Sequence, residues 1–174
     1  MSSLAAGLGA AGGAAAALPG RRRRKMSPNE KLNIGIIGVA NQGRFSLDHV
    51  RSENIVALCD IDDNYLGAAA KEFPDAKVYN DFRRMLDQKD IDAVTIATPD
   101  HVHAIATMWA LKSGRHVYCE KPLTHDISEC RQVEREAAKA KVATQMGTQI
   151  HAGNNYRRVV EILQSGAIGS VKEV

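Results

Sequence analysis

The chain has 174 residues, 44% of them hydrophobic and 25% charged, enough for one core of ordinary size. Its formal charge is +3, but Arg21 to Lys25 supply five positives, and setting those five aside turns +3 into −2. The remainder therefore lacks the basic surface of a nucleic-acid binder. The three cysteines, Cys59, Cys119 and Cys130, have no metal-ligand spacing and read as buried thiols of a reducing compartment.

Met1 to Gly20 is rich in Ala, Gly and Leu and too weakly apolar for a membrane span. It has the character of the apolar part of a twin-arginine export signal, but the basic run follows it, where the arginine pair should precede it. Two readings stand for residues 1–30: a defective export signal and a disordered tail. No stretch reads as a transmembrane helix, so neither membrane nor nucleic acid is an expected partner. The expected location is cytoplasmic, with twin-arginine export to the periplasm as the alternative.

The stretch Leu32 to Arg44 reads LNIGIIGVANQGR. Ile34, Ile36, Ile37 and Val39 form an uncharged β-branched run, expected to be a buried parallel strand. Gly38, Ala40 and Gly43 then fall at the three positions of the dinucleotide fingerprint G-x-G-x-x-G/A, with Ala in the middle. The first allows a tight turn, the second lets backbone approach a pyrophosphate, and the third lets helix pack on strand. With Asn41 and Gln42 they make the expected phosphate-binding turn, and a helix starting near Gln42 aims its free N–H groups at the phosphates. The next apolar run, Ile55 to Cys59, ends in Asp60, about twenty residues after Gly38, where a carboxylate should hold the adenosine ribose. Asp60, with Asp62 and Asp63, would repel a 2′-phosphate, which favours NAD over NADP.

The rest of the chain alternates. A short helix spans Arg44 to Val50, a strand Asn54 to Cys59, and a helix Asn64 to Glu72, closed by Pro74. A short strand Lys77 to Tyr79 follows, then a helix Phe82 to Leu86 capped by Asp81, then a strand Ile91 to Ala97. Thr98-Pro99 breaks that strand, and Asp100 is expected to cap a helix with Val102, Ile105, Ala106 and Trp109 on its apolar face, Trp109 in the core. Gly114 ends it. His116 to Cys119, a helix from about Asp126 to Lys139, Val142 to Met146 and a helix Gly153 to Gln164 complete the pattern, and Val171 to Val174 reads as a strand just beginning. This order predicts an α/β fold, a doubly wound parallel sheet, over residues 31–150, with residues 151–174 opening a second α/β domain. Ligands in such sheets bind beyond the carboxyl ends of the strands. Thr98-Pro99, Glu120-Lys121 and Gly147-Thr148-Gln149 all follow strand ends and should converge on one crevice.

The motifs IGIIGVANQGR, ALCDID, VTIATPDHVHA, HVYCEKPLT and GTQIHAGNNYRRVVEILQSGAIG, running from Asn33 to Gly169, resemble the N-terminal portion of the Gfo/Idh/MocA oxidoreductases. The resemblance implies a Rossmann domain followed by a larger α/β domain that lines the substrate pocket, carries a catalytic histidine and often forms the dimer interface. It implies that Lys121 is catalytic. Its step to Pro122 is often cis in the family, and a buried ammonium there would polarise a sugar carbonyl or acidify an alcohol while hydride moves to nicotinamide. It further places His103 near the cofactor, and Asn154 and Arg157 near nicotinamide and substrate. His101, His125 and His151 do not fall at the family's catalytic position. The expected cofactor-binding set is Gly38, Ala40, Asn41, Gln42, Gly43, Asp60, Thr98, Pro99, His103, Glu120, Gln149 and Arg157, with no metal. The implied substrate is a sugar or polyol, and full-length relatives are homo-oligomers. Two alternatives stay open: an NAD-dependent glycoside hydrolase of the same family, and a truncated nucleotide-binding module without turnover.

Overall fold

The computed structural model describes Ser27, residues 29–149, His151 and residues 153–173; the expected tail lies almost wholly outside these. The described residues form β1 (Asn33–Ile37), α1 (Gln42–Val50), β2 (Asn54–Cys59), α2 (Asp63–Glu72), β3 (Lys77–Tyr79) and α3 (Phe82–Met85). They continue with β4 (Ala93–Ile96), α4 (Asp100–Lys112), β5 (His116–Glu120), α5 (Ile127–Ala140), β6 (Thr144–Gly147) and α6 (Asn154–Gln164). The strands pair in parallel in the order β3-β2-β1-β4-β5-β6. This is the doubly wound Rossmann sheet. Strand order reverses between β1 and β4, so the carboxyl ends of those two strands open the crevice where such folds bind ligands.

Two apolar clusters hold the layers. Ile34, Ile36, Leu47, Leu58, Leu66 and Ala69 join β1 and β2 to α1 and α2. Ile37, Met85, Ile91, Ile96, Ala106, Leu111, Cys119 and Val133 join the central strands to α3, α4 and α5. Alternate residues of β1 thus serve opposite faces, which is why its run needs no polar position. Each fully buried Ile or Leu, such as Ile36 or Leu47, contributes roughly 1.5–3 kcal/mol.

Helix ends follow local chemistry. Asp62 accepts from the N–H groups of Asn64 and Tyr65 at the start of α2, Asp81 from Arg83 at α3, and Asp126 from Glu129 at α5. Gly114, at φ 75°, follows the last turn of α4 in the left-handed conformation that stops a helix.

Four expectations are corrected. Asp100 does not cap α4; it is the first helical residue, and Pro99 holds the cap position, extended at φ −57°, ψ 146°. Its carboxylate still complements the helix dipole. The buried face of α4 carries His103, Ala104, Ala106, Thr107, Ala110 and Leu111, whereas Ile105 and Trp109 are 51% and 39% exposed. Small side chains let α4 lie close to β4, β5 and α5, and no room remains there for an indole. Cys130, on α5, is exposed, unlike Cys59 and Cys119. Val171 to Glu173 form no strand, because no described neighbour pairs their backbone groups.

Candidate functional site

The site begins where β1 stops. Gly38 has φ 89°, and a Cβ there would lie 2.5 Å from the carbonyl oxygen of Ala97. A Cβ on Gly43 would collide with the carbonyl of Gly38. Both glycines are therefore required by backbone packed on backbone, as the fingerprint predicts. Gly38 N–H donates to Cys59 O at 2.8 Å, which ties the turn to β2. Asn41, at the cap position of α1, has φ 48° and makes no side-chain cap bond. No side chain caps the amino end of this nine-residue helix, where Gly43 and Arg44 N–H donate to Ala40 O. Ala40 itself is half-buried.

Asp60, half-buried at the end of β2, has a second role that the sequence reading missed. Its Oδ2 accepts from Val39 N–H at 2.9 Å and its Oδ1 from Asp62 N–H at 3.1 Å. The carboxylate expected at the ribose thus also shapes the glycine turn. Asp62 is spent on its cap, and Asp63 accepts from Asn80 Nδ2 at 2.8 Å. Arg44, the basic side chain closing the fingerprint, is held by Asp48 at 3.0 Å and Glu72 at 2.5 Å. The Arg44 guanidinium pulls both carboxyls below their ordinary range, Glu72 and Asp48 alike.

Opposite the turn, Thr98 and Pro99 follow β4. The Thr98 hydroxyl is buried and has no partner among the described residues. Glu120, 4% exposed at the end of β5, accepts from Gln42 Nε2 at 3.1 Å and from Ser46 Oγ at 3.3 Å. Gln149 Nε2 donates to Gln42 Oε1 at 3.3 Å. A Cβ on Gly147 would lie 2.7 Å from Glu120 Oε2 and from the Tyr118 hydroxyl, so β6 needs glycine to make room for them. Burial first, then the Glu120 carboxylate, push the Tyr118 phenol up. Ser46, Tyr118 and Gly147 belong to this network and were not anticipated. The available signal for Ser46 is its spacing, one turn after Gln42 on the same face of α1.

Lys121 follows directly, and its peptide to Pro122 is cis. The expected buried ammonium is exposed among the described residues. His103 is buried, and both its ring nitrogens face main-chain carbonyls. Arg157 and Asn154 are not brought into the crevice: α6 buries no residue, and both are exposed. His101 and His125 are exposed, and His151 stacks on Tyr156 with ring centroids 5.1 Å apart. A groove of about 480 Å³ between α1 and β4–β6, lined by Phe45, Val50, Val117 and Ala143, adjoins this network through Ser46 and Tyr118. It holds none of the predicted site residues.

Residues 32–148 match the family model described as "Oxidoreductase family, NAD-binding Rossmann fold", that of Gfo/Idh/MocA. The chain belongs to the Gfo/Idh/MocA oxidoreductase family. It is 32% identical over 147 residues to inositol 2-dehydrogenase of Salmonella typhimurium, covering 79% of this chain and 43% of that one. It is 34% identical over 149 residues to inositol 2-dehydrogenase of Gluconacetobacter diazotrophicus, covering 80% and 43%. Among solved structures, scyllo-inositol dehydrogenase from Lactobacillus casei with bound NAD(H) and scyllo-inositol aligns with TM-score 0.74 at 27% identity, covering 81% and 43%. The myo-inositol 2-dehydrogenase of Lactobacillus plantarum aligns with TM-score 0.76 at 28% identity, covering 82% and 43%. The chain thus spans less than half the length of these family members.

The residues present fit a dinucleotide. The turn that Gly38 and Gly43 allow, with backbone packed on backbone, is the one the fingerprint requires, no side chain caps the amino end of α1, and the Thr98 hydroxyl is buried with no partner among the described residues.

Proposed function

We propose that this chain is the NAD-binding part of a polyol dehydrogenase that moves hydride between nicotinamide and a secondary alcohol. The substrate class is a cyclic polyol of the inositol type. The observation that carries this reading is the pairing of the Gly38–Gly43 turn and Asp60 with the Glu120-Lys121 strand end across one switch-point crevice.

Gly38, Ala40, Asn41, Gln42 and Gly43 hold the pyrophosphate, and Asp60 the ribose. Thr98, Pro99 and Gln149 line the way to the reacting end. The preference is for NAD: Asp60 with Asp62 and Asp63 repels a 2′-phosphate, and Arg44 is already occupied by Asp48 and Glu72. When bound, the nicotinamide supplies the hydride acceptor. The Lys121 ammonium donates a hydrogen bond to the alcohol oxygen and stabilises the developing alkoxide. The acid/base histidine and the pocket walls belong to a further α/β domain that residues 151–174 introduce, beyond the nucleotide-binding unit of residues 31–150. The assembled enzyme is a homo-oligomer, and its place is the cytoplasm. No described helix is long and apolar enough to cross a membrane. None of the relatives named above is described as a glycosidase.

Calorimetry with both cofactors tests the reading. NAD should bind more tightly than NADP, and Asp60→Ala should weaken NAD and narrow the difference. Tighter NADP binding would sink the cofactor assignment. NADH formation should be negligible for these 174 residues across inositols and hexoses. Losing a general acid/base typically costs about 10²–10⁴-fold, and losing the walls removes part of a proximity effect of roughly 7–11 kcal/mol. Robust turnover abolished by Lys121→Ala would mean that the missing groups are supplied by a partner chain.

A further inference from the structure

A parallel sheet needs cover on both faces, because its strands are apolar on both sides. Here one part of that cover is missing among the described residues. Val117 and Cys119 of β5 pack with Val133 of α5 on one face. The alternate residues His116 and Tyr118 point to the other face. On that side the groove of about 480 Å³ runs between α1 and β4–β6. Phe45 and Val50 of α1 line it, with Ala93, His116, Tyr118 and Ala143 from the strands and their entries. Phe45 is 55% exposed, and Thr144, Gln145 and Met146 of the edge strand β6 are exposed as well.

The piece that matches this groove is α6. Tyr156, Val159, Val160 and Leu163 fall at i, i+3, i+4 and i+7, which puts them on one face of the helix. Each of them is exposed, and α6 buries no residue. An apolar helix face and an apolar sheet face are thus both bare on one chain. Their lengths agree: eleven residues of helix span about 16 Å, as does a five-residue strand such as β5.

We infer that α6 of one copy lies in the groove between α1 and β4–β6 of a second copy, which returns its own α6 in exchange. A chain that carries both halves of one contact is self-complementary, and a reciprocal exchange closes as a two-fold dimer with no open end. The structure leaves α6 unburied on its own chain, so helix and groove are both available to the second copy. Each copy then supplies the cover that the other's sheet lacks. The exchange stands whether or not the chain binds NAD.

Sedimentation velocity on the whole 174-residue chain tests it. The wild type should sediment as a dimer at micromolar concentration. Val160→Glu on α6 and Ala143→Arg in the groove should each give monomers that keep the circular dichroism of the wild type. Phe45→Glu, on the exposed side of α1, repeats the groove test if Ala143→Arg does not fold. Mixed in equal amounts, the Val160→Glu and Ala143→Arg chains should form a dimer again, because the first keeps its groove and the second its helix. A monomeric wild type would overturn the inference, whether α6 then covers its own sheet or awaits a different protein. A dimer that survives the helix variant or the groove variant would overturn it too, by placing the interface elsewhere. Failure of the two variants to pair would refute the match of helix to groove.

Discussion

Gly38 is where one methyl group does most harm, because an added Cβ meets the Ala97 carbonyl at 2.5 Å and the φ of 89° strains any other residue. Gly38→Ala should cost about 1–3 kcal/mol in a urea melt and weaken NAD binding further, since the turn itself must shift. An unchanged melt with full NAD affinity would show that the turn is not built as described. The cysteines make a second test at this scale. Burial, and then the nearby Asp60 and Asp81 carboxylates, push the Cys59 thiol up to about 12, and burial takes Cys119 to about 11. Cys130 is exposed. Brief iodoacetamide treatment of the folded protein should therefore add one adduct, mapped by mass spectrometry to Cys130, and full labelling should require denaturant. Labelling of Cys59 in the native state would contradict its burial.

Helix caps carry the predictions at the level of elements. Asp62 satisfies two amino-terminal donors of α2, so Asp62→Ala should cost about 1 kcal/mol in a denaturant melt. At α5, the Asp126 carboxyl is held below its ordinary range, chiefly by the Glu129 N–H and then by the Ser128 hydroxyl. Its folded pKa is thus lower than its unfolded one. The contribution is complete above the unfolded value of about 3.9 and is lost as pH falls through the lower folded value. The stability gap between the wild type and Asp126→Ala should be constant near neutral pH and close in strong acid. A gap that widened in acid would show that the cap is not ionic.

At the scale of the whole molecule, the crevice exists only when β1, β2, β4 and β5 are assembled, so a ligand bound there should stabilise the fold as a unit. NAD at about a hundred times its dissociation constant should add about 2.7 kcal/mol. A thermal melt should shift upward with NAD and little with NADP at the same concentration. An NADP shift as large as that with NAD would count against Asp60 as the selecting group.

Much of this molecule was determined within short windows of sequence. Strand and helix order, the glycine turn and the Asp81 cap follow from periodicity and from residues acting on neighbours a few positions away. Even the crevice was legible, because a parallel sheet sends successive strand ends to one side. What tertiary structure decided joins residues far apart in the chain. Glu120 meets Gln42 across 78 positions and Ser46 across 74, and no local pattern announces either bond. Asp60 reaching back to Val39, across 21 positions, is of the same kind. The packing of α4 went the same way: its periodicity allowed Ile105 and Trp109 inside, but the close approach of β4, β5 and α5 admitted Ala106, Thr107 and Ala110 and turned the larger side chains outward. His103 was readable as a histidine near a strand end. That both its nitrogens face carbonyls of two different loops follows only once β4 and β5 lie side by side, because a partner's position in space is not written in its distance along the chain.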